Sequence, residues 1–84
     1  MKHHALQAIR AAENVLANKR IKYVNIDPPS YSENVLEQGI AEPTNVWVVP
    51  YVYMVFQDEN AFIFLKDEDL SLIHILTPHG YIMP

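Results

Sequence analysis

The chain has 84 residues, half of them hydrophobic and 19% charged, with a net charge of −4 and no cysteine. That length makes one domain, residues 1–84, too apolar for disorder. The composition excludes disulfides and thiolate metal sites, and the few basic residues form no stripe for nucleic acid. Met1-Lys2-His3-His4 leads into an alanine-rich polar segment rather than an apolar leader, and the longest apolar run, Val46 to Phe56, is well short of the ~20 residues that span a bilayer. A soluble, cytoplasmic protein with neither nucleic acid nor membrane as partner is expected.

Residues 4–19 read as a helix. Ala5, Ala8, Ile9, Ala12 and Leu16 recur at helical spacing, opposite Gln7, Arg10, Asn14 and Asn18. Alanine favours the helix and lets its axis approach a sheet closely. Lys19 and Arg20 suit the negative end of the helix dipole, and no strong N-cap is visible at the start. Residues 21–27 have strand composition and stop at Pro28-Pro29. Residues 30–45 read as a compact loop with a short helix over 32–38, because Ser30 and Glu33 have capping-box spacing and Gly39 can close a helix.

Residues 45–57 carry the strongest strand signal, with Pro50 implying an edge position or a bulge. Asp58-Glu59-Asn60 reads as a turn, 61–66 as a strand, Asp67-Glu68-Asp69 as a second turn and 70–77 as a third strand. In that last strand Leu70, Leu72, His74 and Leu76 alternate with Ser71, Ile73 and Ile75. Pro78 and Gly80 end the sheet, leaving the apolar tail Tyr81-Ile82-Met83. The expected fold is α+β: an N-terminal helix packed on a three- to four-stranded antiparallel meander.

Strict alternation divides the long strand into two apolar rows. Trp47, Val49, Tyr51, Tyr53 and Val55 oppose Val46, Val48, Val52, Met54 and Phe56. One helix covers one face of a small sheet, and a 400 Å² apolar patch left wet would forgo about 10 kcal/mol. The second face is therefore covered by residues 28–44 and the tail, by a second copy or by a different protein. The aromatic row Trp47, Val49, Tyr51, Tyr53 and Val55 is the candidate interface, because tyrosine and tryptophan bury area while keeping a polar tip. A homodimer or another protein is the expected partner.

Residues that could carry chemistry are scattered. Met1-Lys2-His3 has the form of an amino-terminal copper or nickel chelate, a form any chain with histidine third shares. His3 and His4 are adjacent and diverge on a helix. His74, between Ile73 and Ile75, reads as a buried strand histidine with one satisfied nitrogen, and His79 as a solvated turn residue. The acids of the two turns fall at opposite ends of a meander, too far apart to share a proton. There is no nucleophile elbow, and two glycines are too few for a phosphate-cradling loop. No catalytic residue, cofactor or metal is expected.

Trp47, the strand Ala61–Leu65 running into Lys66-Asp67, and Ile73-His74-Ile75 before Thr77 follow a helix and a long loop. In that order the C-terminal half resembles small bacterial toxin-immunity domains. The resemblance implies a non-enzymatic acidic domain that neutralises a toxin by binding it. The sequence thus points to a protein-interaction domain that self-associates, with an immunity or antitoxin role as its specific form. The alternative is a small ligand-binding or regulatory domain with a pocket between helix and sheet.

Overall fold

The computed structural model describes residues 1–36, 40–54, 58–77 and 82–83. The alanine stripe forms helix α1, Ala5–Asn18, with Ala8, Ala12 and Leu16 fully buried while Ala5, in the first turn, stands exposed. His4 is the N-cap residue, and its backbone N–H donates to Gln7 Oε1 at 3.0 Å, the glutamine half of a capping box. At the other end Arg20 adopts the left-handed conformation, φ 56°. Its N–H donates to the Ala17 carbonyl at 3.1 Å and that of Ile21 to the Leu16 carbonyl at 2.9 Å. This is the paired hydrogen-bond pattern of a Schellman motif, closed by the half-buried Ile21.

Six strands are found among the described residues: β1 (Asn25–Ile26), β2 (Ser30–Val35), β3 (Thr44–Met54), β4 (Asp58–Lys66), β5 (Leu72–Leu76) and β6 (Ile82–Met83). All pairings are antiparallel, in the order β1-β3-β4-β5-β6, with β2 also paired to β3. The expected helix-on-meander arrangement is present, with β3, β4 and β5 as the meander. It is extended on one side by β1 and β2 and on the other by β6. Sheet formation therefore does not stop at Pro78 and Gly80, which themselves lie outside the described residues.

Three local expectations are corrected. Residues 30–35 are a strand and not a loop or helix; Gly39 lies outside the described residues. The capping-box spacing of Ser30 and Glu33 is a local signal, whereas β2 satisfies its backbone on β3 and packs Tyr31 on Trp47 at 5.3 Å between ring centroids. Asp58, Glu59 and Asn60 belong to β4 and not to a turn. Pro50 is not on an edge strand: it sits on β3 between β4 and the β1–β2 side, paired with Phe62.

The irregularity that Pro50 signals falls in its neighbour. Asp27 N–H donates to the Pro50 carbonyl at 2.9 Å, and Ser30 pairs with Val48. Three steps along β1 and β2 thus match two along β3. The extra residue sits at Pro28-Pro29, where no amide hydrogen is available for a ladder. β1 and β2 are two pieces of one edge strand, broken at its prolines.

The odd-numbered residues of β3 and β4 face the helix. Trp47, Val49, Tyr51, Ala61, Ile63 and Leu65 form the core with Ala8, Ala12, Leu16 and Ile75. On β5 a one-residue shift intervenes: Phe64 pairs with His74 but Leu65 with Leu72, leaving Ile73 as the extra residue. The bulge puts Leu72 on the helix side with Ile75, while His74 and Leu76 take the opposite face. The expected uniform alternation of Leu70, Leu72, His74 and Leu76 is broken there.

Candidate functional site

The sequence-predicted interface row lies under α1. Trp47, Val49 and Tyr51 are buried in the core, Tyr53 packs half-buried against it, and Val55 lies outside the described residues. The row is covered by this chain's own helix, because the alanine stripe brings the helix close enough to bury tyrosine and tryptophan. What remains without a helix is the even-numbered face.

That face is a grid. One row across the sheet is Ser32, Val46 and Lys66; the next is Ser30, Val48, Phe64 and His74; the third is Asp27, Pro50, Phe62 and Leu76; the fourth is Asn25, Val52 and Asn60. Asn25 Nδ2 donates to Asp27 Oδ1 at 2.8 Å, as two residues on one face of an extended segment can. Val48, Pro50, Val52, Phe62 and Leu76 are half-buried, and Val46, Phe64 and His74 are buried. No helix packs on this face among the described residues. The total accessible surface, 5468 Å², is close to the roughly 5,100 Å² of a monomer of this mass, so any open patch here is modest.

His74 is only 4% exposed and stacks on Phe64 at 4.6 Å and 29°. Its Nδ1 has no hydrogen-bond partner. The ring is buried as expected, and Nδ1 is the nitrogen that lacks a partner.

A second polar feature gathers around Asp67, which follows Leu65 by two residues and so points to the helix side. Its side chain is 2% exposed. Oδ2 accepts from the Lys2 amide at 2.6 Å, and Oδ1 accepts from the His3 amide at 3.1 Å and the Trp47 indole N–H at 2.9 Å. The Met1 amine stands 3.9 Å away. The His3 Nδ1–H donates to the Asp67 carbonyl, which fixes that ring's tautomer. Burial alone would raise the Asp67 carboxyl. The Lys2 and His3 amides, the Trp47 indole and the Met1 amine outweigh it and hold the group below its ordinary value. Lys2, His3 and the His3 ring are thus already engaged, which removes the nitrogens that a Met1-Lys2-His3 chelate would use.

Beside Asp67 lies a cleft of about 510 Å³ lined by Met1, Lys2, Asn34, Thr44, Asn45 and Glu68, among others. Its walls are mostly polar, and the Asp67 oxygens at its base are occupied by the chain's own donors. No cluster of three His, Asp or Glu side chains suited to a metal occurs among the described residues. The acids of the two ends are separated by the length of β4, with Glu59 opposite Tyr53 at one end and Asp67 beyond Lys66 at the other. His79 lies outside the described residues. No helix among the described residues is long and apolar enough to cross a membrane.

Sequence reasoning missed Asp67 as an anchor, since its partners are backbone amides some 65 positions away. The one available signal was the Trp47 indole, which needs an acceptor once buried. No family model, curated protein or solved structure matches this chain.

Proposed function

We propose that this domain is a non-enzymatic protein-interaction module that binds through the even-numbered face of its sheet. The observation that supports this is the makeup of that face: an apolar centre of Val48, Pro50, Val52, Phe62 and Leu76, half-buried with no helix over it, rimmed by Asn25, Ser30, Ser32 and Asn60. An apolar, charge-poor centre inside a polar rim is the anatomy of a protein interface. The polar clusters, by contrast, are consumed internally. An immunity-type role, in which an acidic domain neutralises a toxin by binding it, is the specific form that the net charge of −4 favours against a basic partner.

The test needs no partner in hand. Val48→Lys and Val52→Lys are made singly and unfolded with urea in dilute solution, with Ile63→Lys on the helix side as comparison. A face reserved for a partner tolerates lysine, with a change of less than about 1 kcal/mol, while Ile63→Lys unfolds the domain. Equal collapse at Val48 and Val52 would show that the chain needs this face for itself and would end the proposal.

A second reading is favoured by the cleft beside Asp67, whose volume suits a small ligand. It predicts amide shift changes at Lys2, Asn34 and Asn45 when a small polar ligand is titrated in. The mostly polar lining makes it the weaker of the two.

A further inference from the structure

Residues 1–3 belong to no helix or strand, and their long-range hydrogen bonds converge on Asp67. The Lys2 amide meets Oδ2 at 2.6 Å and the His3 amide meets Oδ1 at 3.1 Å. Two neighbouring N–H donors thus face the two oxygens of one carboxylate. A guanidinium makes the same arrangement when it binds a carboxylate as a fork. The segment forms a strap with little else to hold it: Met1 is 70% exposed, and Lys2 is exposed too. Helix α1 does not depend on it. The helix is closed at its start by the bond from the His4 amide to Gln7 and by the Ala8 N–H donating to the His4 carbonyl at 3.1 Å. The strap can therefore leave Asp67 with the helix still in place.

We propose, building on the reading of the cleft beside Asp67 as a ligand site, that the strap occupies the Asp67 carboxylate in place of a guanidinium, and that an arginine side chain displaces it. With the strap away, Asp67 keeps the Trp47 indole on Oδ1 at 2.9 Å and regains an open acceptor position on each oxygen. Lys2, the one basic side chain of the cleft lining, leaves with the strap, while the exposed carboxylates of Glu42 and Glu68 stay. Opening thus makes the cleft more acidic. Tyr31, packed on Trp47, adds an unused polar atom: its hydroxyl is buried and has no hydrogen-bond partner. Burial first, and then the charges of Glu33 and Asp67, push that phenol up, so it stands in the field of the same carboxylate.

Other ligand classes fit less well. An anion would meet three carboxylates. An apolar group would leave the Asp67 charge buried and unpaired. An ammonium is a point charge, whereas a guanidinium sets one N–H on each oxygen as the two strap amides do. A closed strap also lowers the apparent affinity by the fraction of molecules that are open. Removing one strap hydrogen bond to the carboxylate should raise that fraction about tenfold, the scale of one charge-assisted bond.

The test compares Lys2→Pro with Lys2→Ala. Both lose the lysine charge, but only proline loses the amide hydrogen. L-Argininamide, and citrullinamide as its uncharged isostere, are titrated into the full chain and followed by amide and indole shifts. Trp47 is the only tryptophan, so its indole N–H reports the site without overlap. Argininamide should shift that signal, move the His3 amide of Lys2→Ala toward its unstructured position, and bind Lys2→Pro about tenfold more tightly than Lys2→Ala. Citrullinamide on either variant, and argininamide on Asp67→Asn, should bind at least about tenfold more weakly. Tighter binding of a capped Gly-Arg-Gly peptide than of argininamide identifies a polypeptide as the source of the arginine and equal binding a free molecule, both upholding the ligand class. Equal affinity of the proline and alanine variants would overturn the strap as competitor. Equal binding of citrullinamide would overturn the guanidinium and leave the cleft a ligand site. No binding of either compound to any variant would remove the cleft reading as well. Far-UV circular dichroism checks each fold, and the two Lys2 variants carry the test should Asp67→Asn not fold.

Discussion

Asp67 is the residue on which the N-terminal segment depends. Its carboxylate takes the Lys2 and His3 amides and the Trp47 indole in a site with almost no exposure. Removing it leaves three donors to find water or remain unpaired. Asp67→Ala is expected to lower stability by about 3 kcal/mol in urea unfolding, much more than Glu68→Ala on the exposed side of the same turn. Because the folded carboxyl lies below its ordinary 3.8, its contribution is fully present above that value. It fades as pH falls through the lower folded one. Acid titration of stability should therefore show a loss below about pH 4 that Asp67→Ala lacks. His74 is the opposite case. A buried nitrogen without a partner detracts from the fold, so His74→Leu is expected to leave stability unchanged or raised in the same assay.

At the scale of elements, α1 and the β3–β4–β5 meander were legible because periodicity reports which side of an element is buried. Ala8, Ala12 and Leu16, like Val49, Tyr51, Ile63 and Leu65, follow from their own spacing. β2 was not legible, since Ser30 and Glu33 satisfy a helix-capping rule and only the open side of β3 overrules it. Nor was the choice of face: both rows of β3 are apolar, and the alanine helix takes the aromatic one. The register steps at Pro28-Pro29 and Ile73 belong to pairs of strands, and no single segment encodes them. Two measurements probe the helix. Arg20→Gly relieves a left-handed arginine and should raise stability by roughly 0.5–1 kcal/mol, read as a rise in melting temperature of several degrees. Ala12→Leu forces bulk into a contact that leaves no exposed surface at that alanine and should cost about 1–3 kcal/mol in the same measurement.

As a whole the molecule is no looser than its size requires. Its radius of gyration is 12.2 Å, against about 12 Å for a compact chain of this length. The apolar surface read from the odd-numbered strand residues is taken up inside, under the helix. The bulge at Ile73 carries a consequence for how the chain tolerates changes in length. Deleting any regular strand residue, Phe62 for example, would invert every side chain beyond it, moving greasy positions to water and wet ones inward. Losing Ile73 alone would turn the two-against-one step into an even ladder, with Leu72 still beside Leu65 and His74 still beside Phe64. Among single-codon excisions, that one should keep a dispersed amide spectrum where loss of a regular β4 residue such as Phe62 gives an unfolded one.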